Sequence, residues 1–165
     1  MAEQQIFTIG VYGTTEALFF ESLVSHGVTH FVDVRRRRGL RGHEYAYGNS
    51  NALQARLATL GIEYVHRIDL SPTDEIRTAQ LVVDAASGTS QRAREHLSDE
   101  FVERYRSQVL AGFDANRFLG EFPEDARLVL FCVEGHPDAC HRSILATEIE
   151  TQSGRSWRDI TQIPN

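Results

Sequence analysis

The chain of 165 residues contains no lysine. All 17 of its basic residues are arginine, so the choice of arginine over lysine at any one position carries no information; only the clustering does. Cysteine is scarce: the two present, Cys132 and Cys140, are too few for a disulfide scaffold and read as thiols, ligands or core residues. No apolar run approaches membrane-spanning length, and MAEQQIFTIG has no basic segment leading into a long apolar stretch. The expectation is a cytoplasmic protein with no membrane partner. Internal repeats and low-complexity segments are absent. A net charge of −6 argues against a protein that coats nucleic acid by bulk electrostatics.

That charge is unevenly spread. Arg35, Arg36, Arg37, Arg38 and Arg41 form one cluster; without these five the chain has 12 basic residues against 23 acidic ones, a balance of −11. A local positive patch therefore sits on an acidic body. The length suits one domain spanning residues 1–165, large enough to bury roughly 70% of its unfolded surface.

Taken in order, Gln5 to Ile9 is a strand candidate, followed by a turn with Gly10 and Gly13. Thr14 or Thr15 then caps a helix carrying Leu18, Phe19, Leu23 and Val24, which ends near Gly27. Thr29 to Val34 is the second strand, with Asp33 and Arg35 on one side of it. The loop RRRRGLRGHEYAYG is long enough to indicate function. A helix over 51–60, a strand over 62–68, and a helix with Ser71 as N-cap and Pro72 at its first position come next. Residues 73–123 read as helices and joints, structural in role, with Ser98 and Asp114 as caps. A fourth strand over 127–132, a helix over 139–152 and a last strand over 156–160 complete the pattern. Alternation of this kind predicts an α/β fold: a mostly parallel sheet of about five strands with helices on both faces. Ligands in such folds bind beyond the carboxyl ends of the strands, and Gly10, Asp33-Arg35, 66–69 and 132–142 all fall at that edge.

The densest chemistry lies in LVLFCVEGHPDACHRSILA, residues 128–146. Cys132 ends a buried strand. Asp138 reads as the N-cap of a helix whose first turn carries Cys140, His141 and Arg142, where free N–H groups favour thiolates and phosphates. Cys140, His141, Ile144, Leu145 and Ile149 share one helical face, so a buried, satisfied Cys-His pair is the competing structural reading. A metal reading would draw on Cys132, Glu134, His136, Cys140 and His141, but the spacing matches no paired-cysteine zinc pattern and no metal ligand is assigned. A redox dithiol would need the loop to fold back. The layout is also similar to phosphatase and rhodanese loops, yet ten positions separate Cys132 from Arg142, too many for a tight anion cradle.

Thr8-Ile9-Gly10, Val32-Asp33-Val34-Arg35, Gly61-Ile62-Glu63-Tyr64, Cys132-x-Glu134 and Cys140-His141-Arg142, in that order, resemble the domain-of-unknown-function family 488 (DUF488) over nearly the whole chain. The resemblance implies a compact α/β domain, found mainly in bacteria and archaea, and no agreed activity. Many members have a proline and a serine-arginine pair where this chain has Arg36-Arg37-Arg38-Gly39, which resembles an arginine-rich branch of the family. They also often have a glycine-rich stretch where this chain has Leu70-Ser71-Pro72.

Two functional readings follow. In the first, an enzyme acts on a phosphorylated, nucleotide or nucleic-acid-derived ligand. Gly10, Tyr12, Arg35, Arg38, Tyr45 and Arg142 bind it, and Cys132, Cys140 and His141 shape or carry the chemistry. Asp33 or Glu134 transfers a proton or orients an arginine. Tyr45 and Tyr47 offer stacking surfaces for a base. In the second, the same patch belongs to a non-catalytic nucleotide- or nucleic-acid-binding module. A structural zinc protein is a third option. An internal salt bridge from Asp33 to Arg35 or Arg142 would remove one arginine from either scheme. Cofactor, substrate and oligomeric state are not encoded in any feature of the sequence.

Overall fold

The structure, a computed structural model, describes residues 3–91 and 93–160. One sheet of five strands organises it: β1 (Gln5–Ile9), β2 (His30–Asp33), β3 (Glu63–His66), β4 (Arg127–Phe131) and β5 (Trp157–Asp159). The spatial order is β3-β2-β4-β1-β5, and every pairing is parallel. All five carboxyl ends therefore emerge along one edge. The helices are α1 (Glu16–Ser25), α2 (Ser50–Thr59), α3 (Asp74–Ser87), α4 (Asp99–Arg104), α5 (Ala115–Leu119) and α6 (His141–Ser153). Among the described residues, no helix is long and apolar enough to cross a membrane.

The two-residue period of the strands sorts the core into two layers. Phe7, Ile9, Phe31, Val129 and Phe131 face α1 and α2, packing on Phe19, Phe20, Leu23, Leu53 and Leu57. Ile6, Val32, Leu128 and Leu130 face the other way, against Ile76, Phe101, Tyr105, Phe118, Leu145 and Ile149. The central strands are buried on both faces, as parallel strands between helical layers must be. The long apolar side chains at Phe7, Phe19, Phe31 and Phe131 make this a rigid base for the strand ends.

Thr15, Ser98 and Asp114 cap α1, α4 and α5 by accepting from Leu18, Phe101 and Arg117 backbone N–H groups. Two helix starts differ from the sequence reading. Ser71 ends a short 3₁₀ turn over Ile68–Leu70, and Thr73 is the N-cap of α3, accepting from Ile76 N–H. Asp138 lies in a 3₁₀ turn over Pro137–Ala139; Cys140 then takes an extended backbone (φ −138°) and is itself the N-cap of α6. The loop 35–48 also contains a 3₁₀ segment, His43–Gly48. Helix α4 runs on into a π-helical turn over Tyr105–Val109, which carries the buried Tyr105 ring under His141.

Helix α3 is turned against its own hydropathy. Ile76, Gln80 and Asp84, four residues apart, form its buried stripe, whereas Leu81, Val82 and Val83 are exposed. Burying an amide and a carboxylate requires partners, and those partners lie at the site below.

Candidate functional site

A cleft of about 590 Å³ opens at the carboxyl ends of the strands, within the size range of small-molecule sites. Its floor includes Cys132, Glu134, Cys140 and His141, and Tyr12 and Arg35 also line it. Around the mouth stand Arg36, Arg37, Arg41 and Arg77, the last contributed by α3. The geometry thus joins the end of β4, the start of α6 and the arginine loop after β2, which the sequence separates by about a hundred positions.

The floor is a compact sulfur–imidazole centre. The ligand-type atoms of Cys132, Cys140 and His141 all lie within 4.8 Å of one another, and the three residues are buried. His141 Nε2 donates to the Val34 carbonyl at 2.8 Å, which fixes the proton on that nitrogen and leaves Nδ1 facing Cys140 Sγ at 3.6 Å. The Cys132 thiol donates to Glu134 Oε2 at 3.2 Å. Cys140 caps α6 without a side-chain capping hydrogen bond, so its sulfur is turned to the centre.

Electrostatics divide the two thiols. Burial, the charge of Cys140 and that of Glu134 push the Cys132 thiol well above its ordinary value. Burial acts on Cys140 in the same sense, but the neighbouring Cys132 thiol and the adjacent His141 outweigh it and bring Cys140 down to about 6, against Glu134. His141 moves up: burial opposes its charge, and Cys140 and Glu134 overcome that. These shifts favour a thiolate on Cys140 over one on Cys132 and favour a proton on His141, the direction of polarisation that reactive cysteines share.

Glu134 is stabilised from a distance. Burial alone would raise its pKa, yet Arg94 and Gln91 hold it below the ordinary carboxylate range. Arg94 Nη2 donates to Glu134 Oε1 at 2.9 Å and Gln91 Nε2 to the same oxygen at 3.0 Å. Arg94 Nη1 reaches Asp84 Oδ2 at 3.1 Å, and Gln80 donates to Asp84 Oδ1 at 2.8 Å. This Gln80–Asp84–Arg94–Glu134 chain accounts for the inverted stripe of α3. Reading 73–123 as structural missed all of it except Glu134. Two polar residues at the centre of a core-facing helical stripe were the available signal.

Several residues assigned to the site by sequence are taken up by partners within the fold, among them the Asp33–Arg35 pair that the sequence offered as an internal salt bridge. Asp33 is fully buried; Oδ1 accepts from Arg35 Nε and Oδ2 from Arg35 Nη2 and the Tyr64 hydroxyl, at 2.6–2.9 Å. It orients an arginine and does not line the cleft. Arg35 gives its remaining Nη1 to the Gly48 carbonyl, so it holds the arginine loop to the sheet even though its edge reaches the cleft. Arg38 donates to the Tyr64 hydroxyl away from the cleft. Arg142, with no exposed surface, turns back to the carbonyls of Glu134 and Gly135 and to Asp159, so it shapes the 134–135 loop instead of clamping a ligand. Gly10 is required by close approach: a Cβ there would strike the Glu134 carbonyl. Tyr45 accepts from Gly13 N–H and packs edge-on against Tyr12 and Tyr47, while Tyr47 is buried on Phe19 and Phe20. Neither tyrosine presents a stacking face to the cleft. His136 is exposed and outside the sulfur centre.

Fold and site together define a parallel α/β domain with a cysteine–histidine centre in an arginine-rimmed cleft at the strand ends. A family model described as domain of unknown function DUF488 matches residues 16–149, and the chain belongs to that family. No curated protein and no solved structure matches it.

Proposed function

We propose that this protein is an enzyme that binds a phosphorylated small molecule, nucleotides included, at the arginine rim and acts on it at the Cys140–His141 floor. One observation carries the reading: the reactive centre and the four arginines of the mouth line the same cleft of about 590 Å³. Guanidinium groups recognise phosphate oxygens through paired N–H donors, and a rim of them selects an anion of matching size. The anion then holds the rest of the molecule over the floor. There the Cys140 sulfur, Nδ1 of His141 and the Glu134 carboxylate are the groups within reach for attack and proton transfer. Of the described tyrosines, Tyr12 alone lines the cleft, which favours a small phosphorylated ligand over an extended single strand stacked on several rings.

The test is calorimetric titration with inorganic phosphate, a nucleoside and its mono- and triphosphates at two salt concentrations, with chromatography for turnover. The reading expects phosphate-dependent binding, weakened by salt and by Arg36→Ala or Arg77→Ala by about tenfold each. It also expects product formation that Cys140→Ser abolishes. Salt-sensitive binding without turnover would instead establish a non-catalytic nucleotide- or nucleic-acid-binding module.

A further inference from the structure

We infer that Cys132, Cys140 and His141 form a zinc site whose fourth position opens into the cleft. The inference deepens the proposed function: it keeps the cleft as the place where substrate is bound, and it makes Cys140 and His141 Nδ1 ligands, so that attack passes from the Cys140 sulfur to a zinc-bound water. Sequence spacing offers no paired-cysteine pattern, but tertiary structure supplies the set: two sulfurs and one imidazole nitrogen within 4.8 Å, contributed by the end of β4 and the start of α6.

The geometry has three further features of a metal site. First, the Cys140 Sγ to His141 Nδ1 separation is 3.6 Å. Zn–S and Zn–N bonds of about 2.3 and 2.0 Å in a tetrahedron place sulfur and nitrogen about 3.5 Å apart, so this edge already has the required length. Closing the widest edge takes about 1 Å of thiol movement, which a χ1 adjustment provides. Second, His141 Nε2 is anchored on the Val34 carbonyl at 2.8 Å. A metal-ligating histidine characteristically donates its other ring N–H in this way, and the donation aims Nδ1. Third, all three residues line the cleft, so a fourth ligand comes from that side. Three protein ligands with one open position is the arrangement of a catalytic zinc site, whose bound water loses a proton near neutrality. Glu134 Oε2, 3.2 Å from Cys132 Sγ, stands beside the position to accept that proton.

Charge is compatible with the dication. On binding, the Cys132 thiol proton and the proton shared by Cys140 and His141 Nδ1 leave to solvent, and two thiolates neutralise Zn²⁺ with His141 neutral. The guanidinium groups of Arg94 and Arg142 are matched by Asp84, Glu134 and Asp159. The two buried guanidinium groups beside the centre are thus offset by carboxylates, and the rim arginines stand at the mouth.

The experiment uses the full chain with metal alone as probe. Protein purified without chelator is analysed for zinc by plasma mass spectrometry. Chelator-treated protein is titrated with cobalt(II) and followed by visible absorption, then competed with zinc. One zinc per chain and the intense absorption of tetrahedral, thiolate-bound cobalt are expected. Cys132→Ser, Cys140→Ser and His141→Ala should each weaken zinc by more than about 100-fold, above the range of outer-shell changes. Wild-type protein that takes up neither metal, or cobalt with an octahedral spectrum, overturns the inference without depending on any variant being folded. Phosphate binding measured in parallel keeps the two readings apart: anion binding without zinc removes only the metal, and zinc without anion binding removes only the reading of the cleft.

Discussion

The carboxyl ends of β2 and β4 look alike in sequence and differ in what they leave available. Both bring an acid and an arginine to the same edge of the sheet. At β2, Asp33 is satisfied by its near neighbour Arg35 and by Tyr64, and the pair locks the following loop to Gly48. At β4, the Glu134 side chain has no arginine partner close by in sequence. It is held by Arg94 and Gln91, some forty positions earlier, and one oxygen remains beside the Cys132 thiol. A charge pair close in sequence closed a structural knot; the pair assembled over distance left a reactive centre facing the cleft.

Substitution of each arginine is the sharpest way to break this comparison. Arg35→Met and Arg94→Met should each cost about 3–5 kcal/mol, because each leaves buried carboxylate without its cation. For a chain of this size that lowers Tm by roughly 10 °C, measurable by calorimetry. Only Arg94→Met should also alter the alkylation rate of the thiols, since only Arg94 acts on Glu134. Its stability loss should shrink in acid. A carboxylate stripped of its cation has a raised folded-state pKa, so the native form binds more protons and destabilisation is greatest above that pKa. It is relieved as pH falls towards about 4.3, the unfolded value. Equal alkylation in the two variants would dissolve the distinction between knot and centre.

A second contrast lies within the centre. In metal-free protein, the rate of iodoacetamide labelling at Cys140 should rise as pH passes through about 6 and then level off. Cys132, pushed well above its ordinary value, should stay unlabelled over that range. Peptide mapping by mass spectrometry separates the two sites. Labelling of both thiols at a midpoint near 8.5, the free-cysteine value, would refute the polarised pair.

Smaller effects follow at the periphery. Tyr64→Phe removes one hydroxyl donor from buried Asp33 and should cost about 1–2 kcal/mol in denaturant unfolding without changing thiol labelling. Arg37→Ala, at an exposed ion pair of 3.7 Å with Asp74, should change stability by less than about 0.5 kcal/mol. Any effect of that variant belongs to anion binding, which makes it the cleanest probe of the rim.

Much of this molecule was legible in the chain alone. Strand positions, the two-sided burial of 31–34 and 128–131, the caps at Thr15, Ser98 and Asp114 and the convergence of Gly10, Asp33 and Cys132 on one edge follow from local periodicity and cap chemistry. These are set by neighbours a few residues apart. The family motifs likewise placed the chain in its family. Which arginine does what was decided only by the fold. Arg35 and Arg142 are absorbed by Asp33 and by the 134–135 carbonyls, Arg94 is recruited to Glu134, and Cys140 replaces Asp138 as the cap of α6. A buried charge must find whichever partner the folded chain brings within about 3 Å, and that partner is chosen by the path of the backbone, not by distance along it.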